Sequence, residues 1–161
     1  MNIRTLLLLG SLALPFGSVG CQDKPTRWDT AASSTVARAP DAPPVKDAGS
    51  FNKFFPADGV DGVKRVYTQD KAGFAEAKLQ KDGKDLAVLS ISDASGDAVV
   101  LKKFESATEK IQGYPLVTVG NNQSAVLVKG RYQVKVSSQQ LDADARKPWL
   151  EKFNLSGLAA L

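Results

Sequence analysis

Cys21 is the only thiol in this 161-residue chain, and it closes a run of small residues, Ser18-Val19-Gly20-Cys21. A single cysteine cannot form a disulfide within the chain, so stability has to come from packing. There is no histidine at all. Histidine is the usual general base near neutral pH and the commonest transition-metal ligand. Its absence excludes Ser-His-Asp and Cys-His nucleophilic systems, and it leaves zinc only carboxylates to bind. Any chemistry must be carried by Asp, Glu, Lys, Tyr or Ser.

Three groupings of such residues come close to a chemical pattern. Asp93-Ala94-Ser95-Gly96-Asp97 gathers two carboxylates and a hydroxyl in one turn, which suggests Ca²⁺. Calcium takes six to eight oxygens, and a loop of the EF type closes with a Glu that is missing here; a helix-capping turn explains the same residues. Lys110, Lys129, Arg131 and Lys135 form a basic set near Tyr132. Strand alternation puts Tyr132 on the face opposite Arg131 and Lys135, so the stacking platform a nucleic acid needs is not formed, and a solvated sheet face accounts for them. Asp142, Asp144 and Glu151, with Tyr114, could be read as a glycosidase-like carboxylate set. Nothing in their spacing brings two of them together. The reading is therefore no catalytic residue, no cofactor and no metal site.

The start of the chain is more specific. Met1 to Arg4 is a short positive segment, Thr5 to Phe16 an apolar run, and Pro15 and Gly17 interrupt it after roughly a dozen residues, short of the about 20 needed to span a bilayer. Together with Ser18 to Cys21 this resembles a bacterial lipoprotein signal peptide ending in a lipobox. The resemblance implies cleavage before Cys21 and a lipid, such as palmitate, on its sulfur. It also implies that the protein is held to the membrane of the cell envelope. Gln22 takes the place of the aspartate that resembles an inner-membrane retention signal, which points to the outer membrane facing the periplasm.

Three segments follow from this: 1–20 signal peptide, 21–50 lipidated N-terminus and tether, and 51–161 a single globular domain. The tether contains Pro25, Pro40, Pro43 and Pro44 with Ala, Ser and Thr, and it has little to bury. At about 5–6 Å times the square root of its length, it reaches roughly 30 Å. Trp28 within it is either an interfacial anchor or a solvated linker residue. Of 21 basic residues only Arg4 leaves with the signal, so 20 face 17 acids, a balance of +3. That excess is scattered and gives no case for nucleic acid.

The domain must be built from elements that the pattern predicts. Phe51, Phe54 and Phe55 recur at helical spacing before Pro56. Val63 to Gln69 reads as a strand. Phe74 to Gln80 and Leu86 to Ser92 flank Asp82-Gly83, the strongest short hairpin signal. After Asp97, Val100, Leu101, Phe104 and Ala107 predict an amphipathic helix. Glu109 to Val119 reads as one strand bent at Gly113-Tyr114-Pro115. Ser124 to Lys129 and Arg131 to Ser138 form a pair hinged on Lys129-Gly130, the second placing Tyr132, Val134 and Val136 on one face. A last helix from Asp142 or Asp144 carries Pro148 in its first turns and a stripe of Ala145, Trp149 and Phe153. Leu155, Leu158 and Leu161 follow it.

The expected fold class is α+β: an antiparallel sheet of about five or six strands built from hairpins, with helices packed on one face. Tyr114 to Lys135 and the closing Lys-Phe-Asn-Leu segment are similar in pattern to small bacterial envelope proteins, a resemblance that implies no activity. The function expected is a membrane-anchored binding or structural module of the envelope, with an envelope protein as partner. The alternatives are a carrier of a small apolar ligand and a histidine-independent enzyme using carboxylates or Lys.

Overall fold

Short alternating runs separated by Gly-containing turns fill the sequence after residue 63. In the computed structural model, which describes residues 41–161, these runs become strands. They are β1 (Lys64–Lys71), β2 (Phe74–Lys81), β3 (Lys84–Asp93), β4 (Glu109–Ile111), β5 (Tyr114–Val119), β6 (Gln123–Val128) and β7 (Tyr132–Ser137). Three helices accompany them: α1 (Ala98–Lys102), α2 (Ala143–Glu151) and α3 (Leu155–Ala159). The expected signal peptide, Cys21, Trp28 and the tether up to residue 40 lie outside the described residues.

One antiparallel sheet contains all seven strands, in the order β1-β2-β3-β7-β6-β5-β4. After the meander β1-β2-β3 the chain crosses by way of α1 to the far edge. It then meanders back so that β7 pairs with β3. The expected count of about five or six strands is corrected to seven. The segment 109–119, expected as one bent strand, is a hairpin: Ile111 faces Tyr114, and Gln112 and Gly113 take φ of 51° and 88°. Gln112 occupies the left-handed region at a cost, in a turn without the Asn-Gly or Asp-Gly signature that marks such hairpins. The hairpin at Asp82-Gly83 forms as expected, with φ of 51° and 75°.

Period-two alternation divides the sheet into two faces. On one, Ala77, Leu89, Val126, Val134 and Val136 are fully buried beneath Phe51, Trp149, Leu150, Phe153, Leu155 and Leu158. Here α2, α3 and a 3₁₀ turn at Asn52–Phe54 close the core. Phe51 meets Tyr132 edge-on at 5.7 Å, a preferred geometry for aromatic pairs. The expectation of helices on one face holds for α2 and α3 but not for α1. Val100, Leu101 and Phe104, in and just beyond α1, pack on Ala125 and Leu127, whose side chains alternate with Val126 and Val128 and so belong to the opposite face.

In α2 the expected stripe needs a correction as well. Of the two expected starting residues, Asp142 and Asp144, it is Asp142 that caps the helix, its carboxylate accepting from the Ala145 amide at 2.8 Å. Ala145 itself is exposed, and the buried face is Arg146, Trp149, Leu150 and Phe153, spaced i, i+3, i+4 and i+7. An arginine holds the first position of an otherwise apolar stripe.

Candidate functional site

The groupings singled out in the sequence are placed as follows. Cys21 lies outside the described residues. In the Asp93–Asp97 turn, the Asp93 carboxylate accepts from the Ser95 hydroxyl at 2.6 Å and its amide at 3.0 Å, while Asp97 caps α1 by accepting from the Val100 amide at 2.9 Å. Both acids are thus occupied by the local fold. Among the described residues no group of three or more acids, histidines or cysteines is arranged to hold a metal ion.

The basic set is dispersed. Lys110 is on the edge strand β4, separated from β7 by two intervening strands, β5 and β6, and Lys129 is in the β6–β7 turn. Lys135 lies mid-β7 between Ser90 on β3 and Ala125 on β6. Asp142 and Glu151 stand at opposite ends of α2, roughly 12–14 Å apart at 1.5 Å per residue. Asp144 is paired with Lys147 at 3.2 Å. No two of these carboxylates converge.

Arg131 is the cation of the set with the most bonds to its surroundings. Its Nη2 donates to Asp93 Oδ2 at 2.7 Å and its Nε to the same oxygen at 3.2 Å, while the guanidinium lies 5.0 Å over the Tyr132 ring. The Asp93 side chain is fully buried and that of Arg131 is 20% exposed. Burial alone would push the Asp93 carboxyl up, but the bonds from Arg131 and Ser95 outweigh it and hold the carboxyl below its ordinary value. Burial raises the Tyr132 hydroxyl, Arg131 acting against it.

Arg131 also reaches outward. The same Nη2 donates to the carbonyl of Pro44 at 2.6 Å, and the Gly73 amide donates to the carbonyl of Lys46 at 2.7 Å. Residues 44–46, read from sequence as the end of the tether, therefore lie against the end of the sheet. Gly73 is required here twice over. Its φ is +72°, and a Cβ on it would stand 3.1 Å from two atoms of the Val45 side chain.

Across the face opposite the core, register sets Glu76, Ser90, Lys135 and Ala125 in one row and Lys78, Val88, Ser137 and Gln123 in the next. Helix α1 packs on the β5–β6 side, and among the described residues no helix covers β2, β3 and β7, whose side chains on this face are mainly polar and half-buried. Glu76 is held by Thr68, whose Oγ1 donates to its Oε1 at 2.8 Å. Lys135 has no hydrogen-bond or ion-pair partner among the described residues. A cleft of about 400 Å³ lies at one end, lined by Asp85, Val88, Gln123, Ser137, Ser138 and Gln140. Its rim is pinned where Gln140 Nε2 donates to the Asp85 carbonyl at 2.8 Å and Ser138 Oγ to the Leu86 carbonyl at 2.7 Å.

Sequence reasoning missed Arg146. It is 0% exposed and has no carboxylate partner among the described residues: Nε donates to Ser124 Oγ at 3.0 Å, and Nη1 to the carbonyls of Asn121 at 2.9 Å and Leu141 at 2.6 Å. Its signal was the helical spacing to Trp149, Leu150 and Phe153, hidden by the rule that arginine stays outside. No described protein family, curated protein or solved structure matches this chain.

Proposed function

We propose that this protein is a lipid-anchored module of the bacterial cell envelope that acts by binding rather than by catalysis. Cys21 carries the lipid, the outer membrane facing the periplasm is its location, and an envelope protein is its partner. The observation that carries the reading is the position of the only cysteine, Cys21, behind Ser18-Val19-Gly20 and a short apolar run. Several acyl chains on such a cysteine give stable attachment where one would hold only marginally. The mainly polar β2-β3-β7 face, with Lys135 near its centre and without a partner among the described residues, is the surface that the partner contacts.

Fractionation of cells making the wild type and Cys21→Ser tests this. The wild type is expected with outer-membrane markers and the variant in the soluble fraction; equal membrane retention of both would refute the anchor. A photo-crosslinking residue in place of Lys135 should trap a discrete partner that the same residue at Asp82, in the distant β2–β3 turn, does not. A wild type found with inner-membrane markers would overturn the location alone.

A further inference from the structure

We infer that residues 44–46 form a releasable strap, and that Arg131 and Gly73 are the residues that hold it. The strap is exposed on its outer side and is tied by two carbonyls, those of Pro44 and Lys46, spaced two residues apart as an extended chain presents them. Pro43 and Pro44 fix φ near the extended value and so lower the entropy lost on docking. Val45 fills the space beside Gly73. The receiving side is preorganised: Asp93, buried and bonded to Ser95, aims the guanidinium, and the Gly73 carbonyl accepts from the Asp93 amide at 2.8 Å. Arg131 thus acts as a positioning residue linking the sheet to the segment that leads to it.

A second attachment makes the strap a two-state element. The Gly49 amide donates to Asp70 Oδ1 at 2.6 Å, and the other oxygen of that carboxylate accepts from Asn52 Nδ2 at 2.6 Å. If the Arg131 and Gly73 bonds open, the chain stays pinned at Gly49. The pivot then moves by about five residues, or roughly 17 Å of extended chain. Docked and released states would hold the domain at different distances from its anchor. This consequence for reach rests on the lipid at Cys21, whereas the strap itself does not, and the test below involves no membrane.

Trypsin cuts after Lys46 only when the strap is open, so the cleavage rate there reports the open fraction while opening is fast. Loss of a hydrogen bond to a charged group should raise that rate by at least about tenfold in Arg131→Ala. Gly73→Ala should act in the same direction through its contact with Val45, with Arg131→Lys intermediate between wild type and Arg131→Ala. Rates of cutting at the other Lys and Arg residues within 60–140, position 131 itself aside, should stay at the wild-type value. If Arg131→Ala loosens the whole domain, as cutting there would reveal, hydrogen exchange of the Gly73 amide in the unaltered protein decides. Protection of that amide supports the strap, and exchange at the rate of an unstructured peptide overturns it. Equal cleavage after Lys46 in the wild type and in both alanine variants also overturns it.

Discussion

Arg146 donates from Nε to the hydroxyl of Ser124 across 3.0 Å in the interior of the domain, joining α2 to β6 without an ion-pair partner among the described residues. Its Nη1 bonds to two carbonyls in the segments on either side, at Asn121 and Leu141. The guanidinium thus ties three stretches of chain that the apolar core alone would leave to slide. Arg146→Ala should leave those carbonyls stranded and empty a large side-chain volume, costing about 3–5 kcal/mol in urea unfolding. Its helix neighbour Lys147, paired only at the surface with Glu109 and Asp144, should cost less than about 1 kcal/mol when changed to Ala. Similar midpoint shifts for the two variants would contradict a structural role for Arg146.

Trp149 and Lys135 test which side of the sheet is closed. Trp149 packs in the same core as Val134 and Val136, and Lys135 points the other way. Trp149→Ala should cost about 3–5 kcal/mol, and Lys135→Ala less than about 0.5 kcal/mol. A larger urea-midpoint shift for Lys135→Ala would mean that the faces are exchanged.

Acid should weaken the Arg131–Asp93 clamp. The Asp93 carboxyl has its folded-state value held down, so its contribution is fully present above the unfolded value of about 3.9 and is lost as pH falls through the lower folded value. Asp93→Asn carries no charge at any pH. Unfolding free energies measured between about pH 6 and pH 2 should therefore fall more steeply for the wild type than for Asp93→Asn. Parallel curves would exclude the clamp as a source of acid sensitivity.

Gly113 isolates backbone strain. Its φ is +88° and open space surrounds the position of a Cβ. Gly113→Ala should cost about 1–2 kcal/mol, the left-handed penalty for a residue with a Cβ. No change in thermal midpoint would argue against the β4–β5 turn.

What the sequence disclosed, and what it hid, follows from how local each signal is. Asp82-Gly83, the alternation around Val134 and the Asp97 cap are written in adjacent residues, and each appears where the pattern places it; the start of α2 was legible only as Asp142 or Asp144. The turn at Gln112-Gly113 was hidden because Gln is a poor occupant of positive φ; the extended stretch around it read as one strand instead of two. Arg146 was hidden because its burial depends on carbonyls 5 and 25 residues away in sequence. The hold of Arg131 on Pro44 spans 87 residues and has no local signature. The strap end of the site was therefore legible only as a basic residue beside a tyrosine, and the polar face only as alternation.

The most direct measurement is the intact mass of the protein isolated from membranes, with fragmentation of its first residues. The account predicts a chain that begins at Cys21, lacks residues 1–20 and carries the added mass of acyl groups on that residue. A chain that retains Met1, or one that begins at Cys21 with an unmodified thiol, would contradict it.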